Sequence, residues 1–308
     1  MKTIKTKIPI VIDTDPGHDD ALAIMLLEKS GLFDIKAITI VAGNSTIQNV
    51  TNNARYILDL VGSKAPLYSG ASKPLNRELV QAVVHGEGGL EGVTIIGQEP
   101  LTNNAVDKII SIIRENPGGI SIVVIGPQTN IAQAFIQDPE LPSLIKQLVI
   151  MGGAITVPGN KNRVAEFNIF VDPEAADIVF KSSVKKVLIP LDVCNEIILQ
   201  MSDFEQLKGA KLYEPLLKMM DKYINGLMVG EKVSGALMYD PLASYYLVNP
   251  EAYTIEPMDI QIETLSELTR GMTIAERRTW GTKNPNVDVV TRIDEKAFKK
   301  DFIEILKK

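Results

Sequence analysis

The chain is short of the residues that usually announce a mechanism. It has one cysteine, two histidines and one tryptophan in 308 residues. A lone Cys194 excludes an internal disulfide, and it suits a reducing compartment, so a cytoplasmic location is the expectation. With Cys194, His18 and His85 far apart in sequence, there is no Cys/His cluster of the kind zinc selects. Long apolar runs are also missing. The run IPIVI before Asp13 is too short for a signal-peptide core, and no later segment approaches a membrane span. The N-terminal KTIKTK reads as a solvated basic end. A surplus of positive charge is absent as well. The formal net charge of −6 argues against a nucleic-acid or anionic-membrane partner.

What the chain does have is carboxylate in one place. IVIDTDPGHDDALAI, residues 10–24, packs Asp13, Asp15, Asp19 and Asp20 against an apolar run. Like charges that close repel, and buried carboxylates are costly unless paired or bound to a metal. Asp15-Pro16-Gly17 is a turn signal, and Asp19 and Asp20 would open the next helix, where the dipole favours negative charge. Helix capping accounts for one such aspartate, not four. A hard divalent cation accounts for the set.

Apolar runs alternate with helical patterns around this motif. Strands are expected at 8–13, 35–42, 120–126, 147–153 and 185–191, rich in Ile and Val and apolar at successive positions. Helices are expected near 19–29, 47–61, 103–115, 129–137 and 173–181. This order predicts an α/β fold: an open, mostly parallel, mixed Rossmann-like sheet with helices on both faces. Beyond it, 203–247 reads as mostly helical, with strands at 257–263 and 286–293 and a last helix at 294–307. Segments 84–92 and 156–163 read as loops. Residues 1–308 form one domain in this reading, without a linker or repeat.

DTDPGHDDALAI, VAGNSTIQNVTNNA (41–54), GPQTNIAQA (126–134), MGGA with AEFNIFVDPEAADIVF (151–180) and YDPLA (239–243) follow one another along the chain. In that order they resemble the signature blocks of the inosine-uridine preferring nucleoside hydrolases. The resemblance implies a nucleoside hydrolase fold and Ca²⁺-dependent hydrolysis of ribonucleosides to ribose and free base. It also implies assembly as a homodimer or homotetramer. Asp15, Asp20, Asp240 and the backbone carbonyl of Thr129 would hold the cation. Asp19, Asn44, Asn160, Glu166 and Asn168 would bind the ribose hydroxyls, with Met151 and Phe167 beside the sugar. Asp15 would also be general base for the attacking water. An oxocarbenium-like transition state suits such a carboxylate- and amide-rich pocket.

The leaving group is where the chain departs from the family. Tyr239 stands where many members have a histidine before the block-five aspartate. His85, in the glycine-rich VVHGEGGLEG, is the other candidate donor to the base, while His18 is expected to point away from it. Pyrimidine ribonucleosides are the expected preference. Each residue also has a plain structural reading: Thr129 or Asp240 as a helix cap, Asn44 and Asn160 as turn residues, Glu166 and Asn168 as a strand edge. Two rival functions remain. One is a Ca²⁺-dependent nucleoside-binding protein with little turnover. The other is a phosphatase with Asp13 as nucleophile, although Gly17 stands where that signature expects Thr or Val.

Overall fold

The computed structural model describes residues 7–308, so all of KTIKTK but Lys7 lies outside the described residues. A central eight-stranded sheet organises the chain. Its first six strands are β1 (Ile8–Thr14), β2 (Phe33–Ile40), β3 (Leu67–Ser69), β4 (Ser121–Val124), β5 (Gln147–Met151) and β6 (Lys186–Ile189). The spatial order is β3-β2-β1-β4-β5-β6, followed by Val287–Ile293 and then Tyr253–Met258. All neighbours pair in parallel except the last two, which are antiparallel. The expected mixed, mostly parallel sheet is therefore the observed one.

Alternate residues of the inner strands bury on opposite faces. Ile10 and Ile12 enter one core while Val11 enters the other, and Val123 and Val124 divide the same way. Both faces being covered explains why these strands read as continuous apolar runs. One core packs helices α1 (His18–Ser30) and α2 (Ile47–Val61) with the C-terminal helices Tyr213–Gly230, Tyr239–Val248 and Glu295–Leu306. The other packs α3 (Ala105–Glu115), α4 (Thr129–Gln137) and Pro173–Lys181. Residues His18 to Leu27 of α1 are all buried, so this helix is enclosed on every side, as its nearly uniform apolarity requires.

Three local expectations change. The single strand expected at 257–263 is two, Tyr253–Met258 in the main sheet and Ile260–Ile262 in a small antiparallel ribbon with Thr273–Ala275. Asp259 lies between them, where the chain leaves one sheet for the other. The helical stretch 203–247 is interrupted by a two-residue strand, Ala236–Leu237. The short edge strand β3 was not expected, since three residues carry no periodicity. Residues 70–104 form no helix or strand, a loop far longer than the 84–92 read from the sequence.

Chain order reverses at β1. The chain runs outward through β2 and β3, then returns to place β4 on the other side of β1. The carboxyl ends of β1 and β4 thus flank a topological switch point, where open α/β sheets form their ligand crevice. Asp13 to Asp15 end one strand and Gly126 to Thr129 follow the other.

Candidate active site

A cavity of about 240 Å³ opens at this crevice. Its floor is acidic. Asp19 and Asp20 lie in the first turn of α1, and Asp240 lies in the first turn of Tyr239–Val248, a helix packed against α1. Carboxylate oxygens of Asp19, Asp20 and Asp240 approach within 4.8 Å of one another, and all three side chains are buried. Two helix N-termini therefore face the cluster, with dipoles that favour negative charge. Asp240 does not cap its helix; Met238 occupies that position. The cap reading of Asp240 is set aside.

The hydrogen bonds hold the carboxylates but do not neutralise them. Asp20 accepts from the Thr14 hydroxyl, the Gly17 backbone N–H (2.9 Å) and the Asn44 amide (3.1 Å). Asp15 Oδ2 accepts from the Asn44 backbone N–H at 2.7 Å, while Asp15 Oδ1 and Asp19 Oδ1 are buried without a hydrogen-bond partner. Burial, then the charge of Asp20, pushes Asp15 and Asp19 well above the usual carboxylate range. Burial, then Asp19, Asp20 and Asp15, does the same to Asp240. No lysine or arginine among the described residues pairs with these groups in an ion pair. Orphaned carboxylate oxygens at such a cluster fit a hard divalent cation, which takes oxygen ligands and cancels the repulsion. Thr129 opens α4 and gives its hydroxyl to Asp172 at 2.7 Å, so its side chain faces away from this role. Glycines leave the room: a Cβ on Gly43 or Gly126 would run into the Asp15 carboxylate.

The next ring of side chains suits a polyhydroxylated sugar. Glu166 caps the helix Phe167–Val171, and Asn168 stands in its first turn; neither is a strand edge. Glu166 Oε1 accepts from Asn168 N at 2.7 Å, and Oε2 accepts from Gly153 N and Ile169 N, each at 3.1 Å. Burial outweighs these donors and lifts its carboxyl to about 7. Asn168 donates to the Ile125 carbonyl at 3.1 Å, which leaves its own oxygen to accept from a hydroxyl. Asn160 Oδ1 accepts from Phe167 N at 2.9 Å, which leaves its NH₂ to donate. Met151, Phe167 and Asn44 also line the cavity. Asn44 is more than a turn residue, because its amide ties Asp20 to the Asp15 carbonyl.

The outer wall is aromatic and apolar with a few polar tips. His85, Tyr223, Leu227, Glu231 and Tyr239 line it. His18 is not among the lining residues; it stacks with both His85 and Tyr223, their ring centroids 5.3 and 5.4 Å from its own. His18 Nε2 lies 2.9 Å from the Glu91 carbonyl, which needs a proton on that nitrogen. The two Nδ1 atoms are 3.0 Å apart, and the His18 backbone N–H also donates to His85 Nδ1 at 3.4 Å. His85 Nε2 lies 3.7 Å from Asp19 Oδ1. Burial, then the charge of His18, holds His85 well below the usual imidazole range. Tyr239 donates to Glu231 Oε2 at 3.1 Å, with Asn195 Oδ1 at 3.4 Å. Burial, then Glu231, pushes its phenol well above the usual range.

Several sequence readings stay outside the cavity. Trp280 is 81% exposed on the surface. Asp13 is fully buried in the sheet, where Oδ1 accepts from Thr39 (2.6 Å) and Asn130 (2.9 Å). Asp13 does not line the cavity, and neither do its neighbours Asp15 and Asp20; its Oδ2, like Asp15 Oδ1, is buried without a hydrogen-bond partner. Glu231 and Lys161 were missed. A glutamate at a helix end and a lysine in a loop look like ordinary solvated charges until the fold turns them inward.

The arrangement defines a class. The family model of the inosine-uridine preferring nucleoside hydrolases matches residues 10–300. A pyrimidine-specific ribonucleoside hydrolase RihA of Citrobacter koseri is 38% identical over 299 residues, 94% of this chain and 95% of that one. The RihA of Shewanella sp. strain ANA-3 is 39% identical, over 94% of this chain and 93% of its own. Among solved structures, the plant nucleoside hydrolase PpNRh1 superposes with a TM-score of 0.90 at 29% identity, covering 98% of this chain and 99% of that one. A purine-preferring ribonucleoside hydrolase from Gardnerella vaginalis gives 0.89 at 30% identity, over 97% and 98%. The chain belongs to the inosine-uridine preferring nucleoside hydrolase family. The enzyme class read from the sequence, a nucleoside N-ribohydrolase, agrees with every one of these relatives.

Proposed function

We propose that the protein hydrolyses the N-glycosidic bond of ribonucleosides in a Ca²⁺-dependent reaction, with a preference for pyrimidines. One observation carries this reading: of the buried cluster Asp19, Asp20 and Asp240, two carboxylates open onto a cavity that Asn44, Asn160, Glu166 and Asn168 also line. The preference rests on the RihA relatives, which are named as pyrimidine-specific.

Asp15, Asp20, Asp240 and the Thr129 carbonyl would hold the cation. A divalent cation held there would supply Lewis acidity, favouring oxygen ligands and lowering the pKa of water. The protein does the rest. Asp15 Oδ1, free of hydrogen bonds, takes a proton from the attacking water as its oxygen bonds to C1′. The C1′–N bond breaks with its electron pair going to the base. Glu166, Asn168 and Asn160 orient the ribose, and the ionised Glu166 stabilises the positive charge that builds on it. His85, on the outer wall of the cavity, would be the donor toward the departing base. Assembly into a homodimer or homotetramer in the cytoplasm belongs to the same reading. No helix among the described residues is long and apolar enough to cross a membrane.

A reducing-sugar assay across inosine, adenosine, guanosine, uridine and cytidine tests the reaction. Ribose should appear fastest from uridine or cytidine, and exhaustive chelation should stop it. The second reading, a nucleoside-binding protein with little turnover, is favoured by the Tyr239 phenol, whose proton is directed at Glu231. Tight calorimetric binding of nucleosides with no ribose released would select it.

A further inference from the structure

We propose that Glu231 is a specificity residue that accepts a hydrogen bond from an N–H on the Watson–Crick edge of the leaving pyrimidine. Tyr239 acts through it, as its positioning partner. The inference rests on the nucleoside hydrolase reading and extends it to the base side of the cavity.

Glu231 is placed where a carboxylate has no structural reason to be. It follows the last residue of the helix Tyr213–Gly230 and occupies its C-cap, the negative end of the dipole. Asp19 is near enough for each charge to raise the other groups around it: Glu231 contributes to the raised carboxyl of Asp19 and the raised phenol of Tyr239. No lysine or arginine among the described residues forms an ion pair with it. Lys232, its neighbour, gives its ammonium to the Val229 carbonyl at 3.1 Å instead. A carboxylate that is partly buried, unpaired and next to other carboxylates calls for a donor from elsewhere.

Its surroundings say what that donor is attached to. The rings of His85 and Tyr223 lie 5.6 Å apart at an interplanar angle of 15°, and with Leu227 they line a flat, apolar part of the cavity. The Tyr223 hydroxyl is already committed to the Leu237 carbonyl at 3.0 Å. Tyr239 has a single hydroxyl proton and two acceptors near it, Glu231 at 3.1 Å and Asn195 at 3.4 Å. The charged and closer acceptor takes it. Only Glu231 Oε2 is engaged in this way; Oε1 receives no hydrogen bond from the described residues. On this side neither tyrosine has a hydroxyl proton to spare, and Glu231 Oε1 is left as a free acceptor. It matches bases that present N–H groups, the 4-amino group of cytosine or N3–H of uracil. A carboxylate oxygen is a standard acceptor for the cytosine amino group.

Methylation of the base removes those donors without touching the ribose. In the unmodified protein, kcat/KM should be about 10- to 100-fold lower for the methylated member of at least one pair, uridine with 3-methyluridine or cytidine with N4,N4-dimethylcytidine, the range expected for one hydrogen bond to a charged group. Glu231→Ala should lower kcat/KM for the unmethylated nucleoside by a similar factor and leave its methylated partner nearly unchanged, so that the ratio collapses to within about threefold. Glu231→Gln keeps an acceptor oxygen and should restore part of the ratio. Thermal melting of each variant reports folding separately. Glu231→Ala that lowers both members of a pair equally, or alters neither, overturns the inference. So does an unmodified protein indifferent to methylation in both pairs. Failure of the unmodified protein to release ribose from any nucleoside overturns the functional reading, and this inference with it.

Discussion

Asp15, Asp20 and Asp240 sit on a strand end and on the first turns of two packed helices. His85 sits in a loop that runs from 70 to 104 without regular structure, and Glu231 just past the end of a helix. The floor and the outer wall of one cavity are thus built differently. The floor is tied to the sheet by backbone hydrogen bonds and to the buried helix α1, so its geometry is set by the fold. The wall is set by loop conformation and by a few side chains. Ribose is common to all ribonucleosides and suits a rigid floor. The base differs between them and suits a wall that can change without disturbing the fold. A purine-preferring ribonucleoside hydrolase has the same fold, while pyrimidine-specific relatives are alike in sequence over 94% of this chain.

The largest effect should come from the floor. Asp15→Asn removes a proposed cation ligand and the proposed base together. It should lower kcat at least about 1,000-fold, within the range for general acid–base groups, with the circular-dichroism spectrum unchanged. Near-native turnover in this variant would sink the mechanism. Next is the sugar itself. 2′-Deoxyuridine should react at least about 100-fold more slowly than uridine, because polar groups built to bind a hydroxyl are left unpaired without it. Equal kcat/KM for the two would detach the floor from ribose recognition.

Glu166 gives the floor a pH signature. Its carboxyl is lifted to about 7 by burial, so it is neutral below that pH and charged above it. Its support of positive charge on the ribose is present only when ionised. Activity should therefore fall about tenfold for each pH unit below about 7. A kcat/KM profile flat between pH 5.5 and 8 would remove Glu166 from that role. Stability without ligand runs the other way. A carboxyl raised from 4.5 to about 7 in the folded state stabilises the fold fully below 4.5, and that contribution is lost as the pH rises through about 7. Asp13, raised from 3.8 to about 7, adds to the same trend. The melting temperature of the cation-free protein should decline across that window.

The contrast between floor and wall is also a contrast in what the sequence discloses. The sheet was legible because strands covered on both faces read as unbroken apolar runs, as IPIVID and ISIVVIG do. The floor was legible because four aspartates in eight positions have no ordinary explanation. The partners of His18 were not legible: nothing local shows that a loop residue 67 positions away will stack on it. Glu231 was invisible, since EKVSG has the look of a solvated helix end. Its meaning comes from tertiary packing that brings Tyr239 and Asp19 beside it. Tyr223 and Leu227 share the buried face of one helix, but His85 and Glu231 come from distant segments with no periodicity or turn chemistry to mark them.

The smallest effect sharpens the comparison most. Read from sequence, Tyr239 is a candidate proton donor to the base, standing where relatives place a histidine. A phenol in that task would make Tyr239→Phe lower kcat. The observed hydrogen bond directs the hydroxyl proton to Glu231, and burial with that carboxylate makes the phenol a poorer acid still. Tyr239 then orients Glu231 and does not itself touch the reacting bond. Tyr239→Phe should raise KM for uridine by about 3- to 10-fold, the worth of one ordinary hydrogen bond, and leave kcat within about twofold. The discrimination between uridine and 3-methyluridine should shrink in the same variant, because a freely rotating Glu231 reads the base edge less well. A fall in kcat with KM and discrimination unchanged would return the phenol to the reacting bond, and base selection would then pass to His85.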